Sequence, residues 1–598
     1  MKTKVIMIAA LAIAGGVTAE VSREVEITNR WLVVDCPNNG WDEDNGFSVY
    51  VDGREQFREW SSISGGAGKH AFDVARFRGK NAKVVARVGG TWENAKLKGV
   101  AVVGDEAILS PRTELALPIH TATIDECEKL DVRLEAKKGD KFVYVPIKRK
   151  ARPVSVTIDG KYDLRIRLAT ESEPDFFASI PIEGEMITLK SAWPVVPKAR
   201  TKEFAALFSM GPESRPGDPD VVKPKIHFAA PFGGSGDMIG FFRFGKEYHL
   251  GYLHDYAYDG WIENCSWSHA VSEDFFNWRS VKPFDRKDLG YKRTTGSCFV
   301  DEKNVSGLGN GKTPPVLLYG VIENGLGQRW QWPMDSHEKK PEKRPDLLPV
   351  MTMMVSRDCG RTFERIEKPL FTMQAIGGHD PEVVYDDESG NYVMVTHDRR
   401  DGEWGFDFYV SKNLLDWEYT SSVPGFWETP NFYPLECEGK RYWVLQQCLL
   451  SYRLGEFDGR VFKPLTPVLE SFKGAFAPRT FLTADGRRVI MAARLAGGPT
   501  GGATLPMEVT LVKTAAGPRL AYRPAREIAK YLPLVKDETI KFEGDEWEFN
   551  GNRGRFEANE PHEIRVIADG PVVDWFVGRG VAAGEGVLSA ETRSDNAS

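Results

Sequence analysis

Three acidic residues stand out because glycine, proline or aromatic residues surround each of them. They are Asp237 in GGSGDMIGFF, Asp380 in GGHDPEVVY and Glu428 in GFWETPNFYPL. Two carboxyl groups facing each other across an anomeric carbon can cleave a glycosidic bond, one by protonating the leaving oxygen and the other by attacking or by activating water. Taken singly, an acid in such a turn more often serves as a cap or a turn residue. The chemical interpretation therefore needs a fold that brings the three acids together.

Short strand-like runs separated by Gly, Asn, Asp and Pro fill the chain and predict a nearly all-β protein. The segments 47–60 and 154–167 align as strand, Asp-Gly turn and strand, which indicates an internal repeat. We expect two related β-sandwiches from this repeat, at residues 20–118 and 119–205. A Pro- and Gly-rich stretch at 210–225 follows them and is typical of a linker.

A second repetition consists of polar turns that close on an aromatic residue. It comprises SEDFFNW (272–278), SRDCGRTF (356–363) and SKNLLDW (411–417). Such turns after a strand are typical of successive β-propeller blades. We therefore expect a β-propeller at 222–503, whose loops at one mouth would carry the acids, and a terminal β-sandwich at 504–598.

Composition and charge narrow the class of protein. The chain has 598 residues, enough for about four domains, and its 41% hydrophobic and 27% charged residues are ordinary for globular proteins. A formal net charge of -7 spread along the chain argues against a nucleic-acid partner. No stretch after the first residues is long and apolar enough to predict a membrane span.

The first 19 residues are typical of a cleaved signal peptide, with two lysines, an apolar run and a small-residue site at Val17, Thr18 and Ala19. We expect an exported protein, periplasmic or extracellular. The seven cysteines are far apart and lack metal-ligand spacing, so nothing in the sequence demands a metal or a cofactor. Buried free thiols are the default expectation, and disulfides stay open, as does the oligomeric state.

Ordered blocks from residue 227 to residue 481 resemble glycoside hydrolase family 32, the fructan- and sucrose-cleaving enzymes with a five-bladed propeller and a trailing β-sandwich. The blocks are HFAAPFGGSGDMIGFFRFGKEYHLGY (227–252), SWSHAVSEDFFNW (266–278), TTGSCFVDEKNVSGLGNGKTPPVLLYG (294–320), GHDPEVVYDDESGNYVMV (378–395), FWETPNFYPLE (426–436), LGEFDGRVF (454–462) and FAPRTF (476–481). The resemblance implies that Asp237 is the nucleophile, Asp380 the transition-state acid and Glu428 the acid/base. It also implies that the N-terminal sandwiches are a module found on some exported bacterial members, more simply a spacer than a binding site.

Several neighbours of the acids depart from the family's pattern. Gly234-Ser235-Gly236 replaces Trp-Met-Asn before the nucleophile, Leu253 replaces a Gln with His254 beside it, His379 replaces an Arg, and Thr429 replaces a Cys. The resemblance therefore implies a hydrolase with altered or relaxed sugar recognition. His379 and His254 are candidates for new sugar contacts, because imidazole donates or accepts a hydrogen bond at neutral pH.

Trp267, between Ser266 and Ser268, is a candidate pocket wall, although a Trp there could equally pack between blades. Asp255, Tyr256 and Trp261 on the following loop are candidates for the pocket entrance. The expected substrate is an oligo- or polysaccharide, with fructan first.

The implied mechanism is double displacement. Asp237 attacks the anomeric carbon, Glu428, kept protonated by a desolvated pocket, protonates the leaving oxygen, and water completes hydrolysis. Asp380 stabilises the oxocarbenium ion through hydrogen bonds to the ring hydroxyls.

Three alternatives stay open. A related propeller glycosidase acting on arabinofuranose or another sugar by inversion would have its carboxyl groups farther apart. A sialidase is suggested by SRDCGRTF but would need a Tyr nucleophile and clustered arginines. A non-catalytic carbohydrate-binding protein would keep the acids without turnover.

Overall fold

A computed structural model describes residues 19–36, 46–60, 69–88, 97, 99–105, 119–149, 151, 153–159, 162–182, 184–218, 223–257, 265–285, 295–322, 348–375, 377–495 and 501–587. The predicted signal peptide at 1–19 lies outside these residues except for Ala19. The described residues fall into two compact units. Unit one runs to residue 218 and includes residues 256 and 257, and unit two contains the rest. No helix in the described part of the chain is long and apolar enough to cross a membrane.

Unit one begins with two four-stranded sheets that share one apolar core. Their strands are β1 (Ala19–Glu26), β2 (Trp31–Asp35), β3 (Gly46–Val51), β4 (Arg54–Trp60), β5 (Lys69–Asp73), β6 (Asn81–Val88), β7 (Gly99–Val103) and β8 (Ile119–His120). The sheet orders are β1-β6-β3-β4 and β7-β2-β5-β8. Leu32, Phe47 and Phe72 are buried in their common core, as expected for two facing sheets.

A second pair of sheets follows in unit one, with its own core around Val156, Ile166 and Leu189. Its elements are β9 (Cys127–Glu135), β10 (Phe142–Ile147), β11 (Pro153–Ile158), β12 (Tyr162–Arg167), β13 (Phe176–Pro181), β14 (Met186–Pro197), α1 (Thr201–Ala205) and β15 (Ser209–Gly211). The sheet orders are β12-β11-β14-β9 and β13-β10-β15. Strand β15 pairs with β10 beyond residue 205, where the sequence analysis ends this domain.

The internal repeat corresponds to two equivalent hairpins, β3–β4 and β11–β12. Asp52 and Asp159 open their turns with φ angles of 51° and 53°, in the left-handed region that Asp tolerates better than most residues. The same turn chemistry therefore builds both hairpins.

Unit two contains five antiparallel four-stranded sheets, formed in chain order by β16–β19, β20–β23, β24–β27, β28–β31 and β32–β35. The strands are β16 (Gly234–Phe244), β17 (Glu247–Asp255), β18 (Cys265–Ser272), β19 (Arg279–Asp285), β20 (Ser297–Val300), β21 (Val316–Ile322), β22 (Val350–Ser356), β23 (Glu364–Thr372), β24 (His379–Asp386), β25 (Asn391–Arg400), β26 (Glu403–Ser411), β27 (Glu418–Pro424), β28 (Asn431–Cys437), β29 (Lys440–Gln446), β30 (Tyr452–Phe457), β31 (Phe462–Pro464), β32 (Ala475–Leu482), β33 (Arg488–Arg494), β34 (Met507–Thr514) and β35 (Gly517–Pro524). The first strands β16, β20, β24, β28 and β32 contact one another in a closed ring. The prediction of an all-β fold is confirmed, and these strands are the inner strands of a propeller.

The repeated polar turns occupy equivalent places in the first three of these sheets, between the third and fourth strands. In each turn a side-chain oxygen of Asp274, Asp358 or Asn413 accepts backbone N–H groups. The residue after it has a positive φ in each case, at Phe275, Cys359 and Leu414. The sequence repeat therefore marks a structural unit.

The strands that follow the propeller begin later in the chain than the sequence predicts. Strands β34 and β35 complete the fifth propeller sheet, so residues 507–524 belong to it rather than to the sandwich expected at 504–598. Strand patterns identify strands without identifying the sheet they join. After a 3₁₀ turn at Ala529–Leu534, the remaining strands are β36 (Lys536–Lys541), β37 (Glu546–Phe549), β38 (Asn552–Arg555), β39 (Glu563–Asp569), β40 (Val572–Val577) and β41 (Ala582–Val587). They form a sheet of order β36-β39-β40-β41 and a separate hairpin, β37-β38.

Candidate active site

The three predicted acids lie where inner strands of the ring begin. Asp237 is the fourth residue of β16, Asp380 the second of β24, and Glu428 lies three residues before the start of β28. Asp237 and Asp380 sit within interruptions of strand pairing, between Ser235 and Met238 and between His379 and Glu382. Such bulges re-aim side chains and are frequent beside active sites.

Asp380 is buried and held at both carboxylate oxygens. Its Oδ1 accepts the backbone N–H of Thr295 at 2.6 Å, and its Oδ2 accepts that of Thr429 at 3.0 Å. Burial alone would raise the pKa of Asp380, but His379, the Thr295 amide and Arg479 outweigh it and lower the pKa below its usual range. Asp380 is therefore a fixed, ionised carboxylate.

Glu428 and Thr429 form a strained turn, with φ angles of 42° and 44°. Two consecutive non-glycine residues in the left-handed region are costly, and such strain concentrates at functional sites. The Cys448 amide donates to the carbonyl of Glu428 at 3.0 Å and the Gln447 side chain accepts the Trp427 amide at 2.8 Å. The turn keeps the Glu428 side chain 35% exposed, beside the buried Asp380.

His379 lies between two of the acids. Its Nε2 is 3.7 Å from Oε1 of Glu428 and 3.9 Å from Oδ2 of Asp380. Its Nδ1 is 3.2 Å from Nδ1 of His397, whose pKa burial lowers to about 3. Neutral His397 thus holds one ring nitrogen of His379, and the other ring nitrogen of His379 faces the carboxylates.

Asp237 is partly buried, and its electrostatics tie it to the other acids. Burial and then the negative charges of Asp380 and Glu428 raise its pKa to about 7. The part of this rise that comes from Asp380 and Glu428 requires these carboxylates to lie near Asp237. The fold therefore unites the three acids that the sequence singles out across almost 200 residues.

Arg479 on β32 braces this end of the ring. Its guanidinium is almost completely buried and donates to the Gly296 carbonyl at 2.9 Å, to the Thr295 hydroxyl at 2.7 Å and to the Pro430 carbonyl at 3.2 Å. It therefore fixes the segments that supply the amide donors of Asp380. It also lies 3.6 Å from Glu382, whose pKa burial raises to about 7.

The remaining candidates occupy different positions. Thr429 is buried and serves through its backbone N–H to Asp380. His254 is buried with both ring nitrogens engaged, Nδ1 with Ser268 Oγ at 2.9 Å and Nε2 with the Phe232 carbonyl at 2.7 Å, which leaves neither nitrogen for a direct sugar contact. Burial lowers its pKa to about 4.

Leu253 and Trp267 are paired across β17 and β18, and both are buried. The Trp267 ring packs close to Gly296, next to the residue whose amide Asp380 accepts. Asp255 ends β17 and is buried, Tyr256 packs against the second core of unit one, and Trp261 lies outside the described residues.

A cavity in the ring is lined by inner-strand residues that include Glu382, Tyr385 and Arg479. The three acids are not part of its wall. Arg479 and Glu382 therefore lie between this cavity and the segments that hold Asp380.

Sequence reasoning missed the supports of the acids, namely Thr295, Arg479 and His397. The available signal was Arg479 itself, a charged residue inside the otherwise apolar run AFAPRTFL. Thr295 acts through its backbone, which a side-chain pattern does not reveal.

Residues 227–495 match the glycosyl hydrolases family 32 N-terminal domain. A levanase from Bacillus sp. (strain L7) is 28% identical over 371 residues, covering 54% of this chain and 37% of that protein. A levanbiose-producing levanase from Bacillus subtilis (strain 168) is 26% identical over 256 residues, covering 40% of this chain and 44% of that protein. The chain thus spans less than half the length of these curated relatives. The crystal structure of exo-inulinase from Aspergillus awamori aligns with a TM-score of 0.49 at 18% identity, covering 61% of this chain and 92% of that one.

Proposed function

We propose that this chain, whose residues 227–495 match the family 32 N-terminal domain, is a glycoside hydrolase of that family and hydrolyses the fructosyl bonds of a fructan or a sucrose-like sugar. Levanases are among its relatives. The observation that carries the proposal is that Asp237, Asp380 and Glu428 all lie where inner strands of one ring begin, with His379 Nε2 3.9 Å from Asp380 and 3.7 Å from Glu428. Three carboxyl groups at one end of a ring of strands match the needs of glycosidic cleavage.

The proposed mechanism is a retaining double displacement. The Asp237 carboxylate attacks the anomeric carbon while Glu428 gives its proton to the leaving oxygen, and the bond between carbon and that oxygen breaks. In the second half, Glu428 takes a proton from water, whose oxygen attacks the anomeric carbon and releases Asp237. The exposed Glu428 side chain suits exchange with solvent between the two halves.

Asp237 sets the pH range in which this reaction can start. With its pKa at about 7, Asp237 is mostly protonated at pH 6 and mostly ionised at pH 8. Attack on the anomeric carbon needs the ionised form. Asp380 stays ionised and is placed to stabilise positive charge that develops on the sugar ring.

The residues expected to contact the sugar depart from the family pattern, whereas the three acids are retained. Gly234, Ser235 and Gly236 immediately before Asp237 lack the large side chains of the Trp-Met-Asn that the family pattern carries there. His379, directly between Asp380 and Glu428, supplies one imidazole donor or acceptor at the same place. We therefore propose that fructose is bound with fewer side-chain contacts than the family pattern provides.

Sugar release by the purified protein tests the function. The substrates are sucrose, inulin, levan and an arabinan panel, and Asp237→Ala is the control. Fructose from the parent and none from the variant supports a β-fructosidase. Release of arabinose supports the alternative glycosidase, and glycan binding without release supports a carbohydrate-binding protein; both results contradict the proposal.

Trapping with methanol tests retention. A covalent fructosyl intermediate on Asp237 would transfer to methanol and give the methyl fructofuranoside with the anomeric configuration of the substrate. The inverted anomer, identified by NMR, would contradict double displacement.

We also propose that the protein is exported through cleavage after Ala19. One relative is named an extracellular exo-inulinase, and the first residues fit a signal peptide. N-terminal sequencing of protein recovered outside the cytoplasm tests this, and an intact Met1 contradicts it.

A further inference from the structure

A second group of buried polar residues lies in unit two, away from the three acids. His227, just before β16, meets Asp569 at the end of β39, Asp574 on β40 and Glu585 on β41. The side chains of His227, Asp569 and Asp574 are completely buried, as is that of Glu585. Buried charges are costly unless each is matched, so this group needs an explanation.

Asp569 orients the imidazole. Its Oδ2 lies 2.9 Å from Nδ1 of His227, while its carboxylate also accepts the backbone N–H groups of Lys225, Ile226 and His227. With these three amides also donating to it, Asp569 accepts a hydrogen bond from the Nδ1–H of His227 and so fixes the orientation of the ring. Metal-binding histidines are commonly held in this way by a carboxylate on the other ring nitrogen.

The opposite nitrogen faces two further carboxylates. Nε2 of His227 is 2.9 Å from Oδ2 of Asp574, yet the pair does not have hydrogen-bond geometry. Neither oxygen of Asp574, nor Oε2 of Glu585, has a hydrogen-bond partner among the described residues. Four buried polar atoms are therefore unsatisfied in one place.

The spacing of these atoms suits a small cation. One ligand atom each from His227, Asp574 and Glu585 lies within 4.8 Å of the other two. Neighbouring ligands about 2.1 Å from a metal ion stand roughly 3.0 to 3.4 Å apart in octahedral or tetrahedral geometry, and the 2.9 Å between Nε2 and Oδ2 is close to that value.

The strand register gives an electrostatic reason for a cation at this place. Asp574 and Glu585 are direct cross-strand partners on β40 and β41, where like charges destabilise a sheet. Arg494 neutralises one side of this pair, with Nε 3.0 Å from Oε1 of Glu585. A bound cation would offset the remaining repulsion between the carboxylates of Asp574 and Glu585.

We propose that His227, Asp574 and Glu585 bind one divalent transition-metal ion of the Zn²⁺ class, joining the segment before the propeller to the terminal sheet. An imidazole with two carboxylates is a ligand set that zinc accepts, with water completing the coordination. The site is structural, because its ligands are buried and none of them belongs to the group of three acids.

The test uses the full chain, stripped with EDTA, given Zn²⁺ and dialysed. Plasma mass spectrometry should find about one zinc per chain in the parent and none in Asp574→Asn. Glu59→Gln is the matched control, because Glu59, His70 and His120 form another buried cluster of metal-ligand type in unit one. That variant should keep its zinc. Absence of zinc from the parent, uptake by Asp574→Asn or loss in Glu59→Gln would overturn the proposal.

X-ray absorption at the zinc edge of the parent covers the case in which Asp574→Asn does not fold. The expected first shell contains nitrogen and oxygen only, with the signature of one imidazole. Two imidazoles, as the cluster in unit one would give, or a shell of water alone would overturn the assignment. The melting temperature of the parent should rise with added Zn²⁺, and lack of a rise would count against a ligand that binds the folded state.

Discussion

Asp237→Asn should make the protein more stable at neutral pH and inactive at every pH. Burial and the neighbouring carboxylates raise the pKa of Asp237 from 3.8 to about 7 in the folded protein. Ionisation of this group therefore opposes folding, and the loss of stability begins above pH 4 and is complete above pH 7. Asparagine has nearly the same shape and no charge.

The expected gain in unfolding free energy follows from the raised pKa of Asp237. About three pKa units at 1.36 kcal/mol each give an upper value of about 4 kcal/mol, and partial exposure of the carboxyl reduces this to about 2–4 kcal/mol. The variant should thus gain about 2–4 kcal/mol over the parent at pH 8 and little at pH 4. Fructose release should be lost at both, because the amide cannot attack the anomeric carbon.

The assay is guanidinium unfolding followed by tryptophan fluorescence at pH 4, 6 and 8. Asp401→Asn is the control, since Asp401 is an exposed turn residue whose φ of 52° suits Asn. Equal stability differences at the three pH values, or a variant that is less stable at pH 8, would refute the electrostatic account of the site. The same result in Asp401→Asn would show a general charge effect.

Three further outcomes are expected. The kcat/KM of the parent should rise as pH rises through about 7, because Asp237 must lose its proton before it can attack the anomeric carbon; a rate that does not rise there contradicts Asp237 as the nucleophile. Asp380→Asn should lower kcat by at least about 100-fold with a smaller change in KM, since an amide cannot stabilise the developing charge; steady-state kinetics check this, and unchanged kcat contradicts it. Arg479→Met should cost about 3–5 kcal/mol of unfolding free energy, as Glu382 and three carbonyls lose their buried donor; a loss under 1 kcal/mol in guanidinium unfolding contradicts a bracing role.

The acids could be predicted from sequence because strand beginnings carry a local signature. Glycines precede Asp237 and Asp380, and a proline follows both Asp380 and the Glu428-Thr429 pair. These residues permit the bulges and the left-handed turn that aim the carboxyls. The strand–turn repeats predicted the sheets for the same reason, because turn chemistry is local.

The supports of the acids could not be predicted, because they join distant segments. The Thr295 amide and Asp380 are 85 residues apart, and Arg479 reaches the Gly296 carbonyl across 183 residues. His254 shows the converse error: an imidazole beside a changed pocket residue suggested a sugar contact, but the fold uses both of its nitrogens to join Phe232 and Ser268. The predicted end of the propeller at residue 503 comes before β34 and β35, because the sequence of β34 resembles that of any other amphipathic strand.

The groups that hold the three acids are mainly backbone amides, whereas the residues expected to contact the sugar would do so through their side chains. The sugar contacts can therefore change while the acids keep their positions. Asp380 is fixed by two backbone amides, and Arg479 holds the chain around those amides through carbonyl groups, so few side chains are needed to keep the carboxylate in place. Gly234 and Gly236 before Asp237 offer no side chain to a sugar, and neither takes part in the hydrogen bonds that hold Asp380. Because a carboxylate held by backbone amides does not depend on neighbouring side chains, the proposed cleavage chemistry is compatible with the proposed change in sugar contacts.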